Sequence, residues 1–253
     1  MIARPNVLSI AGFDPSSGAG LSADIKTLEK IKCYGLGVCS GNTIQNDQKF
    51  SKIYWTPIDQ LKEQISVLFE SFEITVIKVG VIESWEVLND LLDYVLNKNP
   101  AIKVILDPVL NASASKKESW HTEQVEQNEL FEKALSKIFM LTPNYHEISA
   151  LFPEGSVEEN IQRIQKKCHL YLKGGHHPKN KGKDELYLTN EKKYSINPKA
   201  KQVFEKHGSG CILSSAISGF LAQDLPVLKA CYKAKMYTEK ALNSNKSLLA
   251  YHY

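Results

Sequence analysis

A chain of 253 residues with 43% hydrophobic and 23% charged residues has the composition of a globular protein, which excludes a fibre and a disordered tract. The formal charge of +3 carries no basic stripe: the lysine clusters Lys116-Lys117 and Lys179 to Lys183 sit beside Asn, Gly and Ser and read as solvated loops, not as a nucleic-acid surface. Five widely spaced cysteines without a C-x-x-C pair argue against a disulfide framework or a zinc site, and no apolar run approaches the roughly 20 residues of a membrane span, so a reducing cytoplasm is expected.

In chain order, Val7-Leu8-Ser9-Ile10 predicts a buried strand. Leu21, Ile25, Leu28 and Ile31 then mark one face of a helix, and Ile58, Leu61, Ile65, Leu68 and Phe72 mark another. The β-branched run Thr75 to Val79 predicts a strand, Trp85 to Leu96 a helix, and Lys103 to Asp107 a further strand. Ile138 to Leu141 and His169 to Leu172 are short strand candidates with helical stretches before and between them. Glu185 to Leu188 and Lys193 to Ile196 flank a polar turn and predict an antiparallel hairpin. Two helices, about Ile212 to Ala222 and Val227 to Asn243, close the pattern. This alternation predicts a mostly parallel sheet covered on both faces within one domain spanning 1–253, with ligands beyond the carboxyl ends of the strands.

Four segments fall at such ends. Gly12-Phe13-Asp14-Pro15-Ser16-Ser17-Gly18-Ala19-Gly20 matches neither a P-loop nor G-x-G-x-x-G, and a tight turn and a ligand loop fit it equally, with Asp24 one helical turn on. Asp107 closes an apolar strand, where a carboxylate either takes Mg²⁺ together with phosphate oxygens or caps the next turn. Asn144 and Glu147 are three residues apart; locally a capping pair is the stronger reading, although both could face one ligand. Lys206-His207-Gly208-Ser209-Gly210-Cys211 leads into an apolar helix, whose unpaired N–H groups would bind an anion and lower the Cys211 pKa. Taken alone it reads more readily as a helix-start cysteine behind a flexible turn. Lys173, after the His169 to Leu172 strand, could meet phosphates; Gln45 lies just past the strand around Val38, and His176-His177 reads as a surface pair.

The ordered set Ile10 to Gly20 with Ala23-Asp24, Gln45-Asn46, Lys78 to Val81, Leu106 to Val109, Thr142 to Asn144 with Glu147, Lys173 to His176 and His207 to Cys211 closely resembles hydroxymethylpyrimidine kinase/phosphomethylpyrimidine kinase of the ribokinase-like superfamily. The resemblance runs from about residue 5 to about residue 240. It implies a three-layer α/β/α ribokinase-like fold, MgATP as donor, and a homodimer. The implied reaction is phosphorylation of 4-amino-5-hydroxymethyl-2-methylpyrimidine and then of its monophosphate, in thiamine biosynthesis. On the matching positions it implies that Gln45 and Asp24 hydrogen-bond the pyrimidine in a pocket shaped by Gly12, Ala19, Val81 and Val109. Asp107 and Glu147 would organise Mg²⁺, Asn144 and Lys173 would meet the ATP phosphates, and the N–H groups of Ser209, Gly210 and Cys211, with Gly208 before them, would cradle the transferring phosphoryl. Cys211 would be the base.

The residues agree with that chemistry: phosphoryl transfer needs positioning and charge neutralisation, and an amide such as Gln45 donates and accepts as a pyrimidine requires. A pyridine alcohol asks for similar groups, so a pyridoxal kinase is the alternative within the same chemistry, and a non-catalytic pyrimidine-binding protein is the alternative outside it. Departures from the family pattern are Lys206 and Ser209 where threonine is usual, Ser17 where glycine is common, Ile44 and Asp47 around Gln45, and the run Ala112 to Ser119 where a Gly- and Ser-rich covering loop is usual.

Overall fold

The computed structural model describes residues 4–110, 125–177 and 179–253, so the divergent run at 112–119 lies outside the described residues. Among these, nine strands form one sheet: β1 (Asn6–Phe13), β2 (Tyr34–Gln45), β3 (Phe50–Trp55), β4 (Ile74–Val79), β5 (Lys103–Leu106), β6 (Met140–Leu141), β7 (His169–Leu172), β8 (Asp184–Tyr187) and β9 (Lys193–Ile196). Their order is β3-β2-β1-β4-β5-β6-β7-β8-β9. The six strands from β2 through β1, β4, β5 and β6 to β7 pair in parallel, and β3, β8 and β9 add antiparallel edges.

The apolar runs are continuous because both faces of the sheet are covered, and alternate residues enter different cores. On one side Leu8, Ile10, Ile77, Val104, Leu106 and Leu170 meet the helices α2 (Ile58–Ser71), α3 (Trp85–Lys98), α4 (Val125–Leu135), α5 (Tyr145–Leu151) and α6 (Val157–Gln165). On the other, Val7, Val76, Ile105, Met140 and Tyr171 meet α1 (Gly20–Lys30), α7 (Ser209–Ala222) and α8 (Val227–Leu242). Helix α7 is buried from Ile212 to Ala222 and has no polar face. Its composition of Ser, Ala, Ile and Gly suits a helix packed against α1, α8 and the sheet together; a Cβ at Gly219 would lie 2.4 Å from Ile31 Cδ1.

The structure differs from the sequence reading around Gln45. Strand β2 runs on for 12 residues and its far half leaves β1 to pair with β3, from Gly41↔Trp55 to Gln45↔Phe50. Gln45 is therefore the last residue of a strand, at a register shift after Ile44, and not a loop residue. The extension is hard to read from sequence because Gly35, Gly37 and Gly41 interrupt the period-2 pattern. The hairpin turn is set by Asn46, whose Oδ1 accepts from the N–H groups of Gln48 and Lys49 at 3.0 and 2.7 Å.

Candidate active site

The carboxyl ends of β1, β4, β5 and β7 open on a cavity of about 210 Å³ bordered by the start of α7. Its floor is a buried ion pair. Lys78 lies mid-sheet in β4, and its Nζ is 2.7 Å from Asp24 Oδ2 with both side chains fully buried. Ser9 and Ser215 each donate to the same carboxylate at 2.6 Å. Burial works against the Lys78 charge, but Asp24, Cys211 and Asp107 outweigh it and raise its pKa. Asp24 was expected to hydrogen-bond a pyrimidine; it is not among the residues that line the cavity, and its oxygens are taken by Lys78 and two serines. Lys78 does border the cavity. A lysine inside a β-branched strand is a signal in the sequence, because a buried ammonium requires a buried partner.

A second acid–lysine cluster faces the cavity. Lys173 Nζ lies 2.8 Å from Asp107 Oδ1 and 3.4 Å from Glu147 Oε2. Ser214 donates to Asp107 Oδ2 at 3.2 Å and Thr142 to Oδ1 at 3.4 Å. Burial pushes the Asp107 carboxyl up, yet Lys173 and Lys78 overcome it and hold its pKa below the usual range. Glu147 goes the other way: burial and the Asp107 charge outweigh Lys173 and raise it. Asn144 and Glu147 form a full capping box on α5, with Asn144 Oδ1 accepting from the N–H groups of His146 and Glu147 and Glu147 Oε2 accepting from Asn144 N–H. The cap and the site coexist, since both residues also border the cavity.

The third element is the start of α7. Gly208 has φ +75°, and a Cβ there would meet Gly18 O at 2.1 Å, so only glycine brings the turn against the Gly12–Gly20 loop. Gly208, Ser209, Gly210 and Cys211 all line the cavity, with Ser209 already the first helical residue. The two loops are locked by a pair the sequence reading left without a role. His207 Nε2 lies 3.0 Å from Asp14 Oδ2, and Asp14 also accepts from Ser16 and from the N–H groups of Gly18 and Ala19. Burial would raise the Asp14 pKa, but His207, Ser16 and the backbone donors hold it at about 2. Ser17, at the position where glycine is common, has φ +58°.

Cys211 departs from expectation. The helix-end field was expected to lower its pKa; burial is the dominant influence and pushes the thiol up to about 11, with Asp24 and Asp107 adding to the rise and Lys78 and the Gly20 N–H opposing it. The sequence places Cys211 at a helix N-terminus but does not reveal the two carboxylates behind it.

The remaining wall is formed by Gly12, Ala19, Gln45, Val81 and Val109, together with Thr43 and Phe50, which the sequence reading did not single out. A second cavity of about 500 Å³ adjoins the first across Lys173, Gly175, Ser209 and Gly210, and extends along 198–203 to Lys235, Thr238 and Glu239.

A family model described as phosphomethylpyrimidine kinase matches residues 14–253. The chain belongs to the phosphomethylpyrimidine kinase family. It is 32% identical over 250 residues to a hydroxymethylpyrimidine/phosphomethylpyrimidine kinase of Aquifex aeolicus, covering 95% of each chain. It is 30% identical over 253 residues to one of Saccharomyces cerevisiae, covering 94% of this chain and 46% of that one, so it matches about half of the longer relative. Among solved structures it resembles a phosphomethylpyrimidine kinase of Clostridium difficile, with TM-score 0.76 and 26% identity, covering 94% of this chain and 99% of that chain. It also resembles the pyridoxal kinase of Staphylococcus aureus in complex with ADP, with TM-score 0.82 and 25% identity over 96% and 89% of the two chains. The ribokinase-like α/β fold expected from the sequence is the fold observed.

Proposed function

We propose that this kinase transfers the γ-phosphoryl group of ATP to the hydroxymethyl oxygen of 4-amino-5-hydroxymethyl-2-methylpyrimidine, and then to the monophosphate so formed. The observation that carries the reading is the meeting of the Asp107–Lys173–Glu147 cluster and the start of α7 at the junction of two cavities. The smaller cavity has the amide of Gln45 and the apolar surfaces of Ala19, Val81 and Val109, which suit a flat heteroaromatic ring with polar edges. The larger cavity takes the nucleotide, its phosphates reaching Lys173 and Asn144.

In the reaction the hydroxymethyl oxygen forms a bond to the γ-phosphorus as the bond to the β,γ-bridging oxygen breaks, and ADP leaves. The backbone N–H groups of Ser209, Gly210 and Cys211 neutralise charge on the transferring group, with Lys173 beside them. The hydroxyl proton goes to Cys211 in its thiolate form. With the thiol near 11 that form is sparse at neutral pH, and a loose transition state asks more for charge neutralisation than for a strong base. The monophosphate needs no such base, because its phosphate, with a second pKa of about 6, is already anionic at pH 7.

The donor set also suits Mg²⁺: the carboxylates of Asp107 and Glu147 flank the Lys173 ammonium and both border the cavity, and Mg²⁺ takes one or two carboxylates with phosphate oxygens and water. Bound there, Mg²⁺ would supply charge neutralisation and orientation of the phosphates. The proposal extends to a homodimer, supported by the exposed apolar side chains Ile44 and Tyr54 on the edge hairpin of β2 and β3; a solution mass of about twice 28.4 kDa checks it.

A product-resolved assay with MgATP, the pyrimidine alcohol, its monophosphate and pyridoxal in competition tests the function. Pyrimidine mono- and diphosphate are the expected products. Pyridoxal 5′-phosphate with no pyrimidine product would overturn the reading in favour of a vitamin B6 kinase.

A further inference from the structure

The wall of the larger cavity contains a buried ammonium that the transfer chemistry above does not use. Lys235, on α8, is 5% exposed, and its Nζ donates to Gly182 O at 2.7 Å and to Asp184 Oδ2 at 2.9 Å, with Glu239 Oε1 at 3.5 Å. Each carboxylate uses its other oxygen to hold a different piece of backbone. Asp184 Oδ1 accepts the N–H of Gly174 at 2.6 Å, the residue after Lys173. Glu239 Oε2 accepts the N–H groups of Lys199 and Ala200 at 3.0 Å each. Both pieces border the cavity, one through Lys173 and Gly175 and the other through Pro198, Ala200 and Val203. Tyr171 adds a hydrogen bond of 2.6 Å to Asp184 Oδ2 from the buried face of the sheet.

We infer that Lys235 is a positioning residue for phosphoryl transfer: bridging Asp184 and Glu239, it sets the separation of the two pieces and thereby the place of Lys173 against the donor. The electrostatics require such a cation. Without it two carboxylates, six and eight per cent exposed and side by side, would repel, and each would loosen the backbone N–H groups it holds. The link to function is local, because Gly174 and Lys173 are consecutive and a shift of the Gly174 backbone displaces the lysine that meets the phosphates of the donor.

The inference rests on the nucleotide occupying the larger cavity, and the experiment separates the two. Lys235→Met is expected to raise KM for ATP by roughly tenfold or more while KM for the pyrimidine stays within about twofold, and in Lys235→Ala, which leaves room for the amine, added methylammonium is expected to recover part of the loss. If Lys235→Met does not fold, Lys235→Met with Glu239→Gln removes one charge of each sign and is expected to show the same selective rise. Val203→Trp, on the exposed rim of the same cavity, reports the nucleotide's place without touching the network. If Val203→Trp raises KM for ATP and Lys235→Met does not, the positioning role is overturned and the nucleotide reading stands. If Val203→Trp leaves KM for ATP unchanged, the nucleotide lies elsewhere and both fall. Equal rises in the two KM values with no recovery by methylammonium would reduce Lys235 to a general structural contact and overturn the inference.

Discussion

The site contains two acid–lysine pairs of nearly equal geometry, Asp24–Lys78 at 2.7 Å and Asp107–Lys173 at 2.8 Å, with different duties. The first is fully buried, and two serine hydroxyls satisfy what the lysine leaves of the carboxylate. The second stands at the strand ends, with Lys173 13% exposed at the side chain and shared between Asp107 and Glu147. A pair enclosed on all sides fixes structure; a pair sharing one lysine between two carboxylates at a cavity mouth can exchange a partner for a ligand. Distance alone does not distinguish them, and what surrounds them does.

The largest effect is expected from breaking the enclosed pair. Lys78→Ala leaves Asp24 charged without a cation, at a cost of about 3–5 kcal/mol, measured as a fall in denaturant midpoint. Replacing both partners, as Asp24→Leu with Lys78→Met, is expected to recover most of that stability. The cavity-facing pair differs in its readout: Lys173→Ala is expected to lower kcat by roughly 10²–10³, to lower the denaturant midpoint as well because Asp107 is buried, and removing Asp107 too is expected to recover stability but no activity.

Cys211→Ala sharpens the comparison within the reaction. It is expected to slow phosphorylation of the pyrimidine alcohol by about 10² and phosphorylation of the monophosphate far less, since the second nucleophile has no proton to give up. In the free enzyme, alkylation followed at the Cys211 peptide is expected to keep rising with pH toward about 11 instead of levelling off near neutrality.

The smallest effect concerns Asp14. Its folded pKa of about 2 lies below the ordinary 3.8, so its stabilisation is present above about pH 4 and is lost as pH falls toward 2. Asp14→Asn is expected to lower the midpoint by the equivalent of about 1–3 kcal/mol at pH 7, and to flatten the acid limb of the stability profile between pH 4 and 2.

Much of this was legible in the sequence, for reasons particular residues make plain. The strands of the central sheet declare themselves because burial on both faces requires unbroken apolar runs such as Val7 to Ile10 and Lys103 to Leu106. Asn144 and Glu147 were read as a capping pair from their spacing and form one. The far half of β2 and all of β3 escaped notice because glycines break the alternation and one register shift precedes Gln45. The surroundings of Asp24 and Cys211 were not legible for a common reason: spacing gives the face of an element a residue occupies, not what another element, distant in sequence, brings against it.

Sequence by itself determined the α/β alternation, the strand ends at which chemistry would sit, and the ordered motifs that place the chain in its family. Only the tertiary structure decided that Asp24 supports the site from beneath, that His207 and Asp14, 193 residues apart, join the two backbone loops, and that Cys211 is a thiol held high in pKa. The physical reason is that periodicity and turn chemistry act within a few residues, whereas desolvation and charge pairing depend on which groups meet across the fold.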